Sequence, residues 1–129
     1  MLISHASDIG LRALVVLAGR GDELTTVAAL AGELGVPERY LGKTVQRLAG
    51  RGWVATTRGH GGGLHATAAG RQASVAEVIG AFEERRRAVN CEEPPCPLAS
   101  RDCRLRGLLT RAEDAFLASM ADVRVADLV

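Results

Sequence analysis

The chain has 129 residues, 47% hydrophobic and 24% charged, with a formal net charge of +1. That is one domain, or one domain with an appendage, and it excludes a disordered tail protein and a globally basic coat for nucleic acid. Aromatic residues are only 3%, namely Tyr40, Trp53, Phe82 and Phe116, so Leu, Val and Ala must build the core, which suits helices. No run of about 18 apolar residues is present to span a membrane. The opening Met1-Leu2-Ile3-Ser4-His5-Ala6 lacks a basic stretch followed by a long apolar one, so the expected compartment is the cytosol.

A first helix is expected over residues 5–18, where Leu11, Leu14, Val15 and Ala18 recur at three- and four-residue spacing. Gly19-Arg20-Gly21-Asp22 stops it. Thr26 is placed to cap a second, short helix over residues 27–34, and Gly35 stands where a left-handed C-terminal cap belongs. Pro37 suits the first turn of a third helix running to about Ala49, with Leu41, Val45 and Leu48 inward. Trp53-Val54-Ala55-Thr56-Thr57 has strand composition, as does the short run from Leu64 to Thr67. The glycine-rich turn between them makes a hairpin. Ser74 with Glu77 forms a capping box that opens a further helix carrying Val75, Val78, Ile79 and Phe82 inward. Arg85-Arg86-Arg87 breaks the apolar pattern and leads into a loop that holds every cysteine. A last long helix is expected from about Cys103 to Met120, with the stripe Leu105, Leu109, Ala112, Phe116 and Met120. The tail from Ala121 to Val129 carries no strong signal.

The near-zero charge conceals a pattern. Residues 1–35 sum to −2, residues 36–72 to +5 and residues 73–129 to −2. The middle block holds Arg39, Lys43, Arg47, Arg51, Arg58 and Arg71 against Glu38 alone, a local footprint for a polyanion. A solvated basic face would have the same composition. Ala31, Gly35 and Val36 have the spacing of a helix-turn-helix, in which a small residue lets the helices approach and glycine takes the turn. With Leu41, Val45 and Leu48 inward, Arg39, Tyr40, Lys43, Thr44 and Arg47 are expected to face outward. Guanidinium forks suit guanine edges and phosphates, and Lys and Tyr suit phosphates. Thr26, at the start of the preceding helix, joins them as a candidate DNA contact.

The hairpin tip strengthens this reading. Arg58 beside Gly59, His60 and Gly61 can enter a minor groove, and the glycines let the backbone come close. A phosphate-binding P-loop is excluded, because no Gly-Lys-Ser/Thr follows and no helix opens there. A helix-turn-helix followed by a basic-tipped hairpin is a winged helix.

Cys91, Cys96 and Cys103 are spaced C-x4-C-x6-C. Clustered cysteines in a reducing compartment point to metal or redox chemistry rather than structural disulfides. Pro94, Pro95 and Pro97 restrict the loop and lower the entropy cost of closing it. The loop lacks the paired knuckles of common zinc sites. An iron–sulfur cluster usually takes four protein ligands, so a fourth is needed from a carboxylate, from one of His5, His60 and His65, or from a small molecule. Three free thiols or a thiol–disulfide switch use the same residues.

Taken in order, these features resemble the NsrR/IscR-type family of bacterial transcription regulators. The resemblance covers nearly the whole chain and rests on Arg58-Gly-His-Gly-Gly-Gly-Leu64, Ser74-Val-Ala-Glu-Val-Ile79, the three-cysteine loop and the long last helix. It implies a homodimer paired through the last helices, an iron–sulfur cluster near the interface, and a palindromic operator read by one winged helix per half-site. Pro95-Cys96-Pro97-Leu98 and Cys103-Arg104-Leu105-Arg106 are similar to the nitric-oxide-sensing NsrR branch. That branch implies a 4Fe-4S cluster on Cys91, Cys96 and Cys103, completed by Asp8 of the partner subunit, which stands in Ser7-Asp8-Ile9-Gly10-Leu11-Arg12. The IscR branch carries a His three residues after the third cysteine, where this chain has Arg106. The usual spacing in the family is closer to C-x5-C-x5-C, so the middle cysteine is displaced by one residue and a 2Fe-2S cluster stays open.

The expected architecture is mainly α: a winged helix-turn-helix with a two-stranded β wing over residues 1–73, then a cluster loop and dimerisation helix over residues 74–129. The expected function is a DNA-binding repressor switched when nitric oxide or an oxidant attacks the cluster. A cluster-free thiol-redox DNA-binding regulator, a 2Fe-2S redox or iron-homeostasis regulator of the same family, and an iron–sulfur electron carrier or assembly protein are the alternatives. No Ser/His/Asp set, paired carboxylates or nucleotide loop supports an enzyme.

Overall fold

Ser4 opens the first helix: its Oγ accepts the Ser7 amide at 3.2 Å, and α1 follows over His5–Gly19. The computed structural model describes residues 3–83, 89–99 and 102–129, so the Arg85-Arg86-Arg87 break lies outside the described residues. The buried face of α1 is Ile9, Gly10, Ala13, Leu14 and Leu17. Of the expected stripe only Leu14 is fully inside; Leu11, Val15 and Ala18 are half-buried at its margins. An apolar helix contacted on several sides has no single stripe.

Thr26 Oγ1 accepts the Ala29 amide and opens α2, Val27–Leu34. Gly35 takes the left-handed cap at φ 66°, and the Val36 amide returns to the Ala31 carbonyl. The chain then turns directly into α3, Glu38–Gly50, with Pro37 at the cap position just ahead of the helix. The helix-turn-helix expected from Ala31, Gly35 and Val36 is therefore present. Gly52, at φ 73°, turns α3 into the wing. Strands β1, Val54–Thr57, and β2, Gly63–Ala66, pair antiparallel with Val54 opposite Ala66 and Thr57 opposite Gly63.

Three connections were not legible in the sequence. Thr25 exchanges both backbone hydrogen bonds with Leu64, which ties the segment before α2 to the wing. A five-residue helix, α4, Ala68–Gln72, follows the wing and is capped by Thr67. The tail forms a 3-10 turn over Val125–Leu128, whose Val125 is fully buried. The Val75 amide donates to Val123 and the Val125 amide to Ala73, so the end of the chain is stitched back onto the start of the next helix.

That helix is α5, Val75–Phe82, opened by the expected capping box: Ser74 Oγ accepts the Glu77 amide and Glu77 accepts the Ser74 amide. Its inward residues, Val75, Val78, Ile79 and Phe82, are buried, and it packs on α1. The last helix, α6, Arg104–Ala118, is different. None of its fifteen residues is buried, and Leu105 and Leu108 are 53% and 55% exposed. Among the described residues no helix is long and apolar enough to cross a membrane.

Candidate DNA-binding face and cysteine centre

The period of α3 sorts its side chains. Leu41, Thr44, Val45 and Leu48 are buried, whereas Arg39, Lys43 and Gln46 are exposed. One expectation about the outward face is corrected. Thr44 is 4% exposed and its hydroxyl donates to the Tyr40 carbonyl, so it lies on the inner side of the helix. Arg47 is exposed as expected, with its guanidinium 4.8 Å from the Phe82 ring centroid of α5 and donating to the Ala81 carbonyl at 2.9 Å. Tyr40 is half-buried and stacks on His5 of α1 at 5.4 Å. The physical reason is the width of the buried face. Helices α1 and α2 both pack on α3, so its inner side spans more than the Leu41, Val45 and Leu48 stripe. Together Ala6, Tyr40, Lys43, Thr44, Gln46, Arg47 and Phe82 line an open cleft of about 450 Å³ between α1, α3 and α5.

Gln46 was missed by the sequence reading. It is exposed one turn beyond Lys43, and its amide can both donate to and accept from a base edge. Thr26 is exposed, and because its oxygen accepts the capping amide its hydroxyl proton is left to donate.

The wing tip holds Arg58, Gly59, His60 and Gly61, all exposed. Gly59 and Gly61 adopt φ of 98° and 75°, which a side chain disfavours. The Gly62 amide closes the turn on the Gly59 carbonyl at 3.0 Å. The basic block is also partly spent. Arg71 donates to Asp22 at 2.7 Å and to the Gly21 carbonyl, and this hydrogen-bonded ion pair holds the Asp22 carboxyl below its ordinary value. Arg39, Lys43, Arg47, Arg51 and Arg58 remain as the exposed cations of the block.

Cys91, Cys96 and Cys103 are free thiols, each half-buried. Asn90 organises the start of their loop: its side chain accepts the Glu92 and Glu93 amides and donates to the Glu93 carbonyl. The Cys96 amide returns to the Cys91 carbonyl, and Cys103 is the cap residue of α6. Ser100 and Arg101 lie outside the described residues. Asp8, in the first turn of α1, is paired with Arg12 at 2.7 Å and is about one-third exposed. The donor chemistry fits an iron–sulfur centre: three accessible thiols and a partly exposed carboxylate. Within the single chain they do not converge, and among the described residues no three His, Cys, Asp or Glu side chains form a ligand set. The alternative histidines are placed elsewhere: His5 on Tyr40, His60 at the wing tip and His65 on β2.

The sequence profile of the Rrf2 family, described as iron-dependent transcriptional regulator, matches residues 3–129. The chain is 39% identical over 132 residues to the HTH-type transcriptional repressor NsrR of Streptomyces coelicolor, covering 100% of this chain and 88% of that protein. Its fold is similar to CymR, the global cysteine regulator of B. subtilis, with TM-score 0.78 at 24% identity over 98% of this chain and 94% of that one. It is also similar to T. potens IscR, with TM-score 0.73 at 19% identity over 98% and 84% of the two chains.

Proposed function

The chain belongs to the Rrf2 family of transcriptional regulators, and from that premise we propose that it is a homodimeric repressor whose operator binding is switched by an iron–sulfur cluster. Its family members are DNA-binding regulators rather than enzymes. The observation that carries the finer reading is α6. A fifteen-residue helix with no buried residue, exposing Leu105 and Leu108, requires a covering partner, and a second copy supplies an equal helix. Cys103 caps that same helix, so the third thiol stands at the edge of the dimer surface.

Each part then has a task. Arg39, Lys43 and Gln46 read the major groove, Thr26 contacts backbone phosphate, and Arg58 with Gly59, His60 and Gly61 reaches the minor groove. Two such faces serve a palindromic operator in the cytoplasm when they stand about 34–36 Å apart, one helical turn. Cys91, Cys96 and Cys103 hold the cluster, and Asp8 of the partner subunit completes the set. When bound, the cluster supplies an iron centre open to nitric oxide or an oxidant, with 4Fe-4S favoured by the likeness to NsrR and 2Fe-2S the other form. The residues on each side of the switch are thus the cysteine loop and the first turn of α1. The likeness to CymR supports a second reading, a cluster-free thiol switch on the same cysteines.

Anaerobic purification, iron and sulfide counts and an absorption spectrum test this. Coloured protein with iron on a dimer is the expected result. Colourless protein whose operator binding follows its disulfide state favours the thiol switch.

A further inference from the structure

Gly42 stands inside α3, Glu38–Gly50, where glycine is the least favourable residue after proline. Nothing in the fold asks for it. Its backbone is ordinary helix and its φ is not left-handed. Among the described residues no heavy atom lies within 4 Å of the place a Cβ would take, so no neighbour needs the room. Gly10 and Gly70 differ: there the Phe82 ring and the Trp53 carbonyl fill that place. A helix-interior glycine with neither a backbone nor a packing reason answers to something outside the chain.

Arg39, three residues before, and Gln46, four after, are both exposed, so Gly42 is a gap between them on one helix face. A helix seated in the major groove approaches the bases most closely where its side chains are shortest. At such a gap the helix offers Cα hydrogens, an apolar surface without a side-chain donor or acceptor. The C5-methyl of thymine is the apolar group that base edges present in that groove. We propose that Gly42 is a specificity-determining residue: the gap between Arg39 and Gln46 receives a thymine methyl of each half-site, in the volume a Cβ would occupy. This rests on the reading of α3 as the recognition helix given above.

The test measures operator affinity for the wild type, Gly42→Ala, Lys43→Ala and Gly80→Ala. Each is titrated on the operator and on operators in which each half-site thymine is replaced in turn by uracil, which removes only the methyl. Gly80 of α5 is exposed with the same open space and controls for added helix propensity. Gly42→Ala is expected to raise the thermal midpoint by about 2–8 °C. It should nevertheless weaken operator binding roughly 5–150-fold, the range of one mismatched base pair. At one thymine, uracil should weaken the wild type about fourfold, the value of one buried methyl group, and strengthen Gly42→Ala. Gly80→Ala should keep wild-type affinity. Gly42→Ala binding as tightly as the wild type, while Lys43→Ala binds weakly, overturns the proposal alone. Wild-type affinity in both α3 variants overturns the recognition-helix reading with it. Weakening of Gly42→Ala that is equal on thymine and uracil operators overturns the methyl contact in favour of a clash with the sugar-phosphate backbone. A lowered thermal midpoint in Gly42→Ala, or an equal loss of affinity in Gly80→Ala, also overturns it, in favour of a structural role.

Discussion

Gly70 of α4 lies against the Trp53 carbonyl so closely that an added Cβ would stand 2.1 Å from that oxygen. The same carbonyl accepts the Thr67 amide at 2.9 Å, and Thr67 in turn donates its hydroxyl to Gly52. The base of the wing is thus clamped by a short helix. Gly70→Ala is expected to cost about 1–3 kcal/mol, because backbone cannot yield as a side-chain tip can. Urea unfolding measures it; a variant as stable as the wild type contradicts the close approach.

The capping box of α5 makes a pH-dependent prediction. Hydrogen bonds from Ser74 hold the Glu77 carboxyl below its ordinary value, and the Asp22 carboxyl is held low by Arg71. Both groups bind fewer protons folded than unfolded, so their stabilisation is present above the ordinary values of 4.5 and 3.8 and is lost as pH falls through the folded values. Both are solvent-exposed, so the loss is small. Thermal unfolding between pH 7 and pH 3 should show declining stability below about pH 4.5, and Glu77→Gln should flatten part of it. Ser74→Ala should cost about 1 kcal/mol. An acid limb unchanged by Glu77→Gln removes this explanation.

Adjacent residues on α3 should separate binding from stability. Lys43 is exposed and Thr44 is buried. Lys43→Ala is expected to weaken operator binding and lower the salt slope by about one. Thr44→Val should leave affinity intact and shift only stability. Arg58→Ala, at the wing tip, should lose roughly 1–3 kcal/mol of operator binding with an unchanged cluster spectrum. Titrations by fluorescence anisotropy distinguish these, and a Thr44 variant with the Lys43 phenotype would reverse the assignment of faces.

The capping box, the Gly35 turn and the hairpin were legible because each depends on residues close in sequence. Thr26 and Ser74 announce their helices by chemistry that acts over three residues. Thr44 was misplaced because periodicity orders the side chains of a helix but does not say how many neighbours cover it. Val125 was invisible for a related reason: a four-residue turn has no period, and it packs on α1 and α4, far away in sequence. The cysteine spacing identified candidate donors, but spacing does not encode which side chains meet, and among the described residues they form no ligand set.

The exposed leucines of α6 give a test of the dimer. Because Leu105 and Leu108 are outside the core of the single chain, replacing both with Asp should leave the winged helix folded. Sedimentation should then report monomer, with operator affinity falling toward that of one half-site. A double variant that stays dimeric would place the interface elsewhere.

In the proposed function a cluster on Cys91, Cys96 and Cys103 controls operator binding. The direct measurement is one anaerobic titration with nitric oxide, following the iron–sulfur absorption and operator anisotropy in the same sample. Loss of the cluster bands in step with a change in operator affinity, both absent from the Cys96→Ala protein, is the predicted result. A cluster spectrum that disappears while affinity stays constant would contradict the account.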